Sequence, residues 1–334
     1  MSPRAKRIAQ GAVTIGFFAA VVWLLGDELR ALDPHEILAV LRDLSSAQVA
    51  CALALTGACY AVVASYDRLA SRHARVRLPA ALGFAIAFVS YAFNFNVGAI
   101  VGALGFRYRL YTRAGLDAKQ IATIAAFSIV TNWCGCLSVL GAMLIADPSV
   151  LREGFGLSAT ACRLLGGLAL APVAAYLLAT RIRTEPVQIR GNRYPIPDCR
   201  VALAQVALAS AYWLLVPVVL HVLRPTGAAI DYSQLVVAYG LAAIGGIVIR
   251  VPAGLGVIEA VFLESFRDRV GAGPILGMLI AWRAVFLLAP LGVAAIVLAL
   301  LESRGGARVR AAGARSGRAG AAGARRAGRR RSRA

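Results

Sequence analysis

The chain has 334 residues, of which 59% are hydrophobic and only 16% charged, and its formal net charge is +20. Soluble domains carry about a quarter charged residues, so this composition excludes an ordinary soluble protein. Several apolar runs reach the roughly 20 residues that cross about 30 Å of hydrocarbon. The sequence therefore predicts an all-α polytopic membrane protein.

Six uninterrupted apolar runs predict spanning helices. The first follows the basic stretch PRAKR, and no small-residue cleavage site comes after it. We therefore expect it to stay in the protein as a span and not to be removed as a signal peptide. The six predicted spans are residues 8–26, 46–66, 119–146, 158–180, 201–223 and 274–301.

Two further apolar regions, residues 80–106 and 234–266, are interrupted by polar residues, glycine or proline. Glycine tolerates backbone conformations that other residues avoid, and proline ends helices. These residues predict a break in the middle of each region. The expected break positions are Gly98, Gly102 and Gly105 in the first region, and Pro252, Gly254 and Gly256 in the second.

The distribution of Lys and Arg indicates whether these two regions cross the membrane. If residues 80–106 crossed, most of the Lys and Arg in the internal loops would lie outside. If this region enters and returns, most of them lie inside. The basic C-terminus then requires 234–266 to enter from the outer side and return there. We therefore expect about six spans plus two oppositely oriented re-entrant hairpins, with both termini in the cytoplasm, an arrangement typical of inverted-repeat transporters.

The C-terminal residues 304–334 are rich in arginine and contain no acid. Such a segment cannot bury a core, so we expect a disordered cytoplasmic tail after a membrane domain at residues 1–303. The tail could bind anionic lipid headgroups or only fix the orientation of the protein. We expect no specific binding of nucleic acid.

Cysteine and histidine residues give no sign of a metal site or a cofactor. Cys134 and Cys136 form a Cys-x-Cys pair, but within a helix they point to different faces and no histidine is near in sequence. The three histidines are scattered along the chain. We interpret the cysteines as small apolar residues and expect neither metal nor cofactor.

Three motifs in this order carry a resemblance to a known family: SYAFNFNVGAIVGALGFRYRLYTRAGL (90–116), TNW (131–133) and VPAGLGVIEAVFL (251–263). Over residues 5–303 the chain resembles the transmembrane-region family of lysylphosphatidylglycerol synthetase/flippase proteins, and among them the short stand-alone bacterial inner-membrane members. The resemblance implies an α-helical inner-membrane protein, and in one branch of the family a lipid translocase. No aminoacyltransferase domain follows residue 303, so we do not expect lipid aminoacylation.

Arg107 and Arg109 follow the first break, where their guanidinium groups could hold a phosphate with two hydrogen bonds. This pattern predicts a phospholipid headgroup site, with Tyr108 beside it. The alternative is that both arginines are anchors at the membrane surface. Asn94 could contact substrate, but we favour a structural role in which it, like Asn96, caps backbone groups freed by the break.

Glu259 follows the second break and is predicted to lie on the first turn of a new helix, where the helix dipole favours a carboxylate. An acid within a membrane region is a functional candidate by default. We expect Glu259 to pair with Arg283, or alternatively with Arg250, either as a structural ion pair or as a coupling and gating pair. Asn132, in the middle of a span, is expected to bond a neighbouring helix or, alternatively, to line the substrate path.

Three classes of function are compatible with these features. The first is translocation of anionic or modified phospholipid, which the hairpins and the basic residues favour. The second is a membrane-embedded glycosyltransferase-like enzyme, against which stands the absence of paired carboxylates or a nucleotide motif in the sequence. The third is a non-catalytic partner of a phospholipid-synthesis enzyme. We expect a transporter and not an enzyme.

Overall fold

The computed structural model describes residues 34–98, 104–182, 187–189, 192–194, 196–249 and 251–303. The first predicted span, Gly102, Arg250 and the tail 304–334 lie outside these ranges. Within them, seven helices are long and apolar enough to cross a membrane. The all-α polytopic architecture predicted from the sequence is thus confirmed.

The helices are numbered in chain order. They are α1 Pro34–Asp43, α2 Ser46–His73, α3 Ala80–Val97, α4 Arg107–Arg113, α5 Ala118–Ala146, α6 Ser149–Glu153, α7 Ala159–Ile182, α8 Cys199–Val222, α9 Tyr232–Ile249, α10 Val257–Val270 and α11 Ala272–Ser303. A 3₁₀ turn at Pro252–Gly254 precedes α10, and a π-helical segment at Arg283–Leu288 lies within α11. Two short antiparallel strands, β1 Val187–Ile189 and β2 Asn192–Tyr194, lie between α7 and α8.

Polar caps mark the ends of the long apolar helices. Ser45 and Gln48 form a reciprocal capping box before α2, and Asp117 with Gln120 forms another before α5. In each case a side chain satisfies a backbone N–H that the first helical turn leaves without a partner. The caps explain why these helices begin sharply at the edge of an apolar run.

Close helix packing in the scaffold depends on glycine. A Cβ placed on Gly135 would lie 2.4 Å from the backbone carbonyl carbon of Ala209 in α8. Gly141 of α5 and Gly166 of α7 approach each other in the same way, since a Cβ on either would lie within 2.8 Å of the other's carbonyl oxygen. Small residues let backbones approach in a membrane, where van der Waals packing drives association. Helices α5, α7 and α8 therefore form a tightly packed scaffold.

The first interrupted region forms a helical hairpin from residues 80–98 and 104–113, called hairpin 1. Its outgoing arm is α3, and its returning arm consists of a π-helical turn at 104–106 followed by α4. The arms run antiparallel, because Phe106 stacks on Phe93 with ring centroids 4.2 Å apart and, nearer the open end, Tyr111 and Gly83 line the same cavity. The open end next to Gly83 and Tyr111 is called mouth 1.

Residues 232–270 form the second hairpin, hairpin 2, in which α9 leads in and α10 returns. Near its tip, a Cβ on Gly245 would lie 2.9 Å from Val257 Cγ1. At the open end, Arg269 Nη1 donates to Gln234 Oε1 at 3.4 Å. The chain therefore leaves this hairpin on the side where it entered, and this open end is called mouth 2.

The two mouths lie at opposite ends of α5. Hairpin 1 ends just before α5 begins, whereas the residue after α5, Asp147, accepts a hydrogen bond from Ser233 at the start of hairpin 2. The 29 residues of α5 give a helix about 44 Å long. Helix α3 of hairpin 1 contacts the turn Pro252–Gly254 of hairpin 2. The opposite orientation of the hairpins is confirmed.

The breaks agree with the sequence in part. Gly98, Gly254 and Gly256 have φ angles of 97°, 61° and 80°, in the left-handed region that favours glycine. Gly105 is different, because it lies in the π-helical turn that starts the returning arm and so is not a break. Ala253 between the glycines is also left-handed, with φ 55°.

Two helices are longer than predicted. The 46–66 span continues as α2 to His73, which brings Asp67 into a helix. The second interrupted region was predicted to end at residue 266, but α10 has 14 residues and continues to Val270 through its charged end, ESFRDRV. The first of these differences changes the description of the site.

Candidate functional site

Asp67 is the centre of a buried polar cluster at hairpin 1. Its side chain is 1% exposed, and Arg107 donates to both carboxylate oxygens, from Nε at 3.0 Å and from Nη2 at 2.9 Å. Tyr111 donates to Oδ2 at 2.9 Å, and Ser128 of α5 donates to Oδ1 at 2.8 Å. Tyr91 lies 3.4 Å away through its hydroxyl. A fully hydrogen-bonded ion pair of this kind is the form in which charge is tolerated in an apolar interior.

This cluster corrects the expectation for Arg107. The sequence predicted that Arg107 and Arg109 would together present guanidinium groups to a headgroup. Arg107 is instead 2% exposed, and its bidentate face is already paired with Asp67. Tyr108 and Arg109, which lie between Arg107 and Leu110 in the sequence, are exposed. Arg107 therefore fastens the returning arm of hairpin 1 to α2.

Asp67 was not among the predicted site residues, because the predicted span ended at residue 66. One signal was present: Asp67 is the only acid between Asp43 and Asp117. An isolated carboxylate at the end of an apolar run, in a region rich in arginine, indicates a specific partner.

Glu259 and Arg283 form the expected ion pair at hairpin 2. Glu259 lies on the first turn of α10, where Oε2 accepts a hydrogen bond from the N–H of Gly256 at 2.8 Å. Its other oxygen, Oε1, lies 2.6 Å from Arg283 Nη2 on α11. The two side chains are 20% and 14% exposed. The pair joins the returning arm of hairpin 2 to α11.

The two pairs have opposite polarity. In hairpin 1 the cation, Arg107, is on the hairpin and the acid, Asp67, is on a long helix beside it. In hairpin 2 the acid, Glu259, is on the hairpin and the cation, Arg283, is on the long helix. Each hairpin thus has a buried or half-buried arginine–carboxylate pair on its returning arm, and Arg269 of hairpin 2 forms a second pair, with Glu153 of α6 at 3.6 Å.

The π-helical segment Arg283–Leu288 receives donors from two other elements. Asn96, at the tip of hairpin 1, donates from Nδ2 to the carbonyl of Leu287 at 3.2 Å and to that of Ala92 at 2.8 Å. The Tyr60 hydroxyl donates to the carbonyl of Phe286 at 3.3 Å. The structural capping role expected for Asn96 is confirmed.

The other predicted polar residues differ in their contacts. Asn132 accepts from the Trp213 indole N–H of α8 through its side-chain oxygen at 3.3 Å and its carbonyl at 3.2 Å, as expected for a residue that joins two helices. Asn94 makes no side-chain hydrogen bond to any residue in the described ranges; its carbonyl caps the chain at Gly98.

Aromatic rings fill the space between the hairpin tips and the long helices. The rings of Tyr60, Phe95 and Phe286 contact one another, with centroids 5.7 to 6.3 Å apart, and Phe286 stacks on Trp282 at 5.3 Å. Further rings extend this layer through pairwise contacts. They are Phe88, Tyr91, Tyr212, Trp213 and Tyr239. These rings form one connected layer that includes residues of α2, α3, α8, α9 and α11.

A cavity of about 180 Å³ opens at mouth 1 between α2 and α3. Asp67 and Tyr111 form its polar floor, Arg68 lies at its exposed rim, and small or apolar residues such as Gly83 and Phe84 form the opposite wall. The cavity therefore has a polar side and an apolar side.

Mouth 2 is closed by a hydrogen-bond network. Ser233 donates to Asp147, Gln234 Nε2 donates to Ser149 Oγ at 3.2 Å, and Arg269 reaches Gln234 from the returning arm. Burial raises the pKa of Asp147, but hydrogen bonds from Ser149 and Ser233 outweigh this effect and hold the pKa below its usual value. Both arms of hairpin 2 are thus attached at this end.

These features define a polytopic membrane protein with two inverted re-entrant hairpins, each fastened by an arginine–carboxylate pair. The chain is 31% identical to the inner membrane protein YbhN of Escherichia coli over 300 residues, which cover 89% of this chain and 94% of that protein. It is also 31% identical over 298 residues to the uncharacterized protein slr0712 of Synechocystis, with coverage of 89% and 92%. The chain belongs to the family of the inner membrane protein YbhN and is a multi-pass inner-membrane protein.

No protein-family model matches the chain. The resemblance to the lysylphosphatidylglycerol synthetase transmembrane region therefore stays an expectation.

Proposed function

We propose that the protein is a lipid translocase that moves an anionic phospholipid between the leaflets of the inner membrane. The observation that carries the proposal is the pair of hairpins that open at opposite ends of α5 and contact each other through α3 and the turn Pro252–Gly254. In inverted-repeat transporters, broken helices of this kind open to one side and then to the other around a site near the midplane. The two ion pairs are the attachments that would have to release for each hairpin to move.

Mouth 1 is the candidate headgroup site. Because the charge of Asp67 is offset by Arg107, the remaining charge near the cavity is that of Arg68 at the rim. A guanidinium group there can bind a phosphate with two hydrogen bonds, while the apolar wall around Phe84 contacts the adjoining acyl chain. Arg109, which is exposed on the same returning arm, is a second candidate cation.

Reconstitution tests this function. Purified protein in vesicles with a fluorescent phosphatidylglycerol is expected to make more of the probe accessible to an external quencher than protein-free vesicles do. Arg68→Glu is expected to raise the lipid concentration for half-maximal rate about tenfold or more, as follows from the loss of a charge-assisted hydrogen bond.

Arg72→Glu is the matched control, because Arg72 is exposed one turn further along α2 and does not line the cavity. Equal effects of the two variants would show that Arg68 acts only through general surface charge. If the protein moves no lipid in vesicles but forms a product from a labelled sugar donor, the result would favour a glycosyltransferase-like enzyme. Lipid transport only with a phospholipid-synthesis enzyme present would favour a partner role.

The orientation follows from the same proposal. Mouth 1 is surrounded by basic residues of the 67–79 and 107–119 segments, so we expect it, with both termini, on the cytoplasmic side. In a cysteine-free background, Arg113→Cys should react with a membrane-impermeant maleimide only after cells are permeabilised, and Asp268→Cys should react in intact cells. Reaction of Arg113→Cys in intact cells would contradict this orientation.

A further inference from the structure

The π-helical segment of α11 contacts both hairpins. At its first residue, Arg283 pairs with Glu259 of hairpin 2, and near its last residue the carbonyl of Leu287 accepts the side-chain donor of Asn96 from hairpin 1. The segment is closed by a bond from the N–H of Ala289 to the carbonyl of Ala284, five residues back. Both hairpins thus contact this one short segment of α11.

A π-helical turn contains one more residue than an α-helical turn, and such turns are often found at functional sites. Conversion to the α-helical register would rotate the residues on one side of the segment by about 100° relative to the other side. Arg283 would then turn away from Glu259. Donors to the carbonyls at the far end of the segment, from Asn96 and Tyr60, favour the register in which Arg283 faces Glu259.

We propose that Asn96 is a positioning residue that couples the two hairpins through this segment. Movement of the hairpin 1 tip withdraws the Asn96 donor, the π-helical register is no longer favoured, and the Glu259–Arg283 attachment of hairpin 2 weakens. The role of this coupling in lipid transport rests on the proposed function. The coupling itself is a property of the protein without substrate.

Hydrogen–deuterium exchange of the full-length protein tests the coupling. Asn96→Leu removes the donor at similar volume and is expected to increase exchange of the amides at residues 257–263 about tenfold, the change expected for the loss of one hydrogen bond. Asn94→Leu is the matched control on the same helical turn and is expected to leave this segment unchanged. Asn96→Gln, which keeps the amide, is expected to restore part of the protection.

Helix α3 also contacts Pro252–Gly254 directly, so a second variant background is needed to separate this contact from the route through the π-helical segment. The double variant Glu259→Leu/Arg283→Leu lacks the ion pair through which the π-helical segment would act on hairpin 2. Adding Asn96→Leu to this variant is therefore expected to cause no further change in amide exchange at residues 257–263. A persistent tenfold effect there would overturn the proposal in favour of direct tip contact.

Unchanged exchange in Asn96→Leu itself would overturn the proposal altogether. If Asn96→Leu does not fold, Tyr60→Phe removes the other donor to the segment and is expected to act in the same direction. A protein that couples in this assay but moves no lipid would refute the proposed function and leave the coupling intact.

Discussion

Asp67→Ala is expected to lower the free energy of unfolding by about 3–5 kcal/mol, the cost of leaving a buried charge without its partner. Arg107 is almost fully buried and donates twice to Asp67, so the substitution leaves its guanidinium group with neither counter-charge nor acceptor. Tyr111 and Ser128 lose an acceptor as well. The measurement is denaturant or thermal unfolding of the purified protein in detergent.

Two further variants separate charge from general damage. Asp67→Leu/Arg107→Leu removes both charges and is expected to recover much of the loss, because an apolar replacement of a buried pair is often nearly neutral. Asp43→Ala removes an exposed acid and is expected to change stability by less than about 0.5 kcal/mol. If Asp67→Ala unfolds like the parent protein, the pair does not hold hairpin 1 in place.

Glu259→Gln and Arg283→Ala are each expected to destabilise the protein, by about 3 kcal/mol at the lower end of the range for buried pairs, since both side chains retain some exposure. Glu259→Leu/Arg283→Leu is expected to regain stability. If the pair serves transport, this double variant will be stable but inactive in the vesicle assay, and Glu259→Gln will be inactive at every pH tested.

This second prediction distinguishes a coupling pair from a structural one. A double leucine variant that is both stable and active would show that the pair only offsets the cost of two charges. Normal transport by Glu259→Gln at normal abundance would remove Glu259 from the mechanism.

Much of the fold could be predicted because apolar length and the Lys/Arg distribution are properties of the sequence. The two hairpins were predicted from the charge distribution and from the breaks at Gly98 and Gly254, and their geometry agrees. The extent of α2 could not be predicted in this way. Hydropathy ends at Tyr66, whereas the helix continues to His73, because Asp67 has partners on hairpin 1 and α5 that a hydropathy pattern does not show.

The candidate site, too, could be predicted from the sequence only in part. The Glu259–Arg283 pair was predicted, because each residue is isolated within an apolar run. The partner of Arg107 was not, because Asp67 lies 40 residues earlier in the chain. The π-helical segment also has no signal in the sequence RAVFLL. Its register depends on donors from Asn96 and Tyr60, which tertiary packing alone brings to it.

The layer of aromatic rings between the hairpin tips has a consequence for bioenergetics. An inner membrane stores energy as a proton gradient and a voltage, and a membrane protein with hairpins that open at opposite ends would be a potential leak for both if it transports lipid as proposed. A hydrated ion that reached Tyr60, Phe95 and Phe286 would have to shed its water among rings that offer little in exchange. With both hairpins fastened as observed, we expect this layer to resist the passage of hydrated ions, so that the protein in vesicles without substrate should not dissipate a proton gradient.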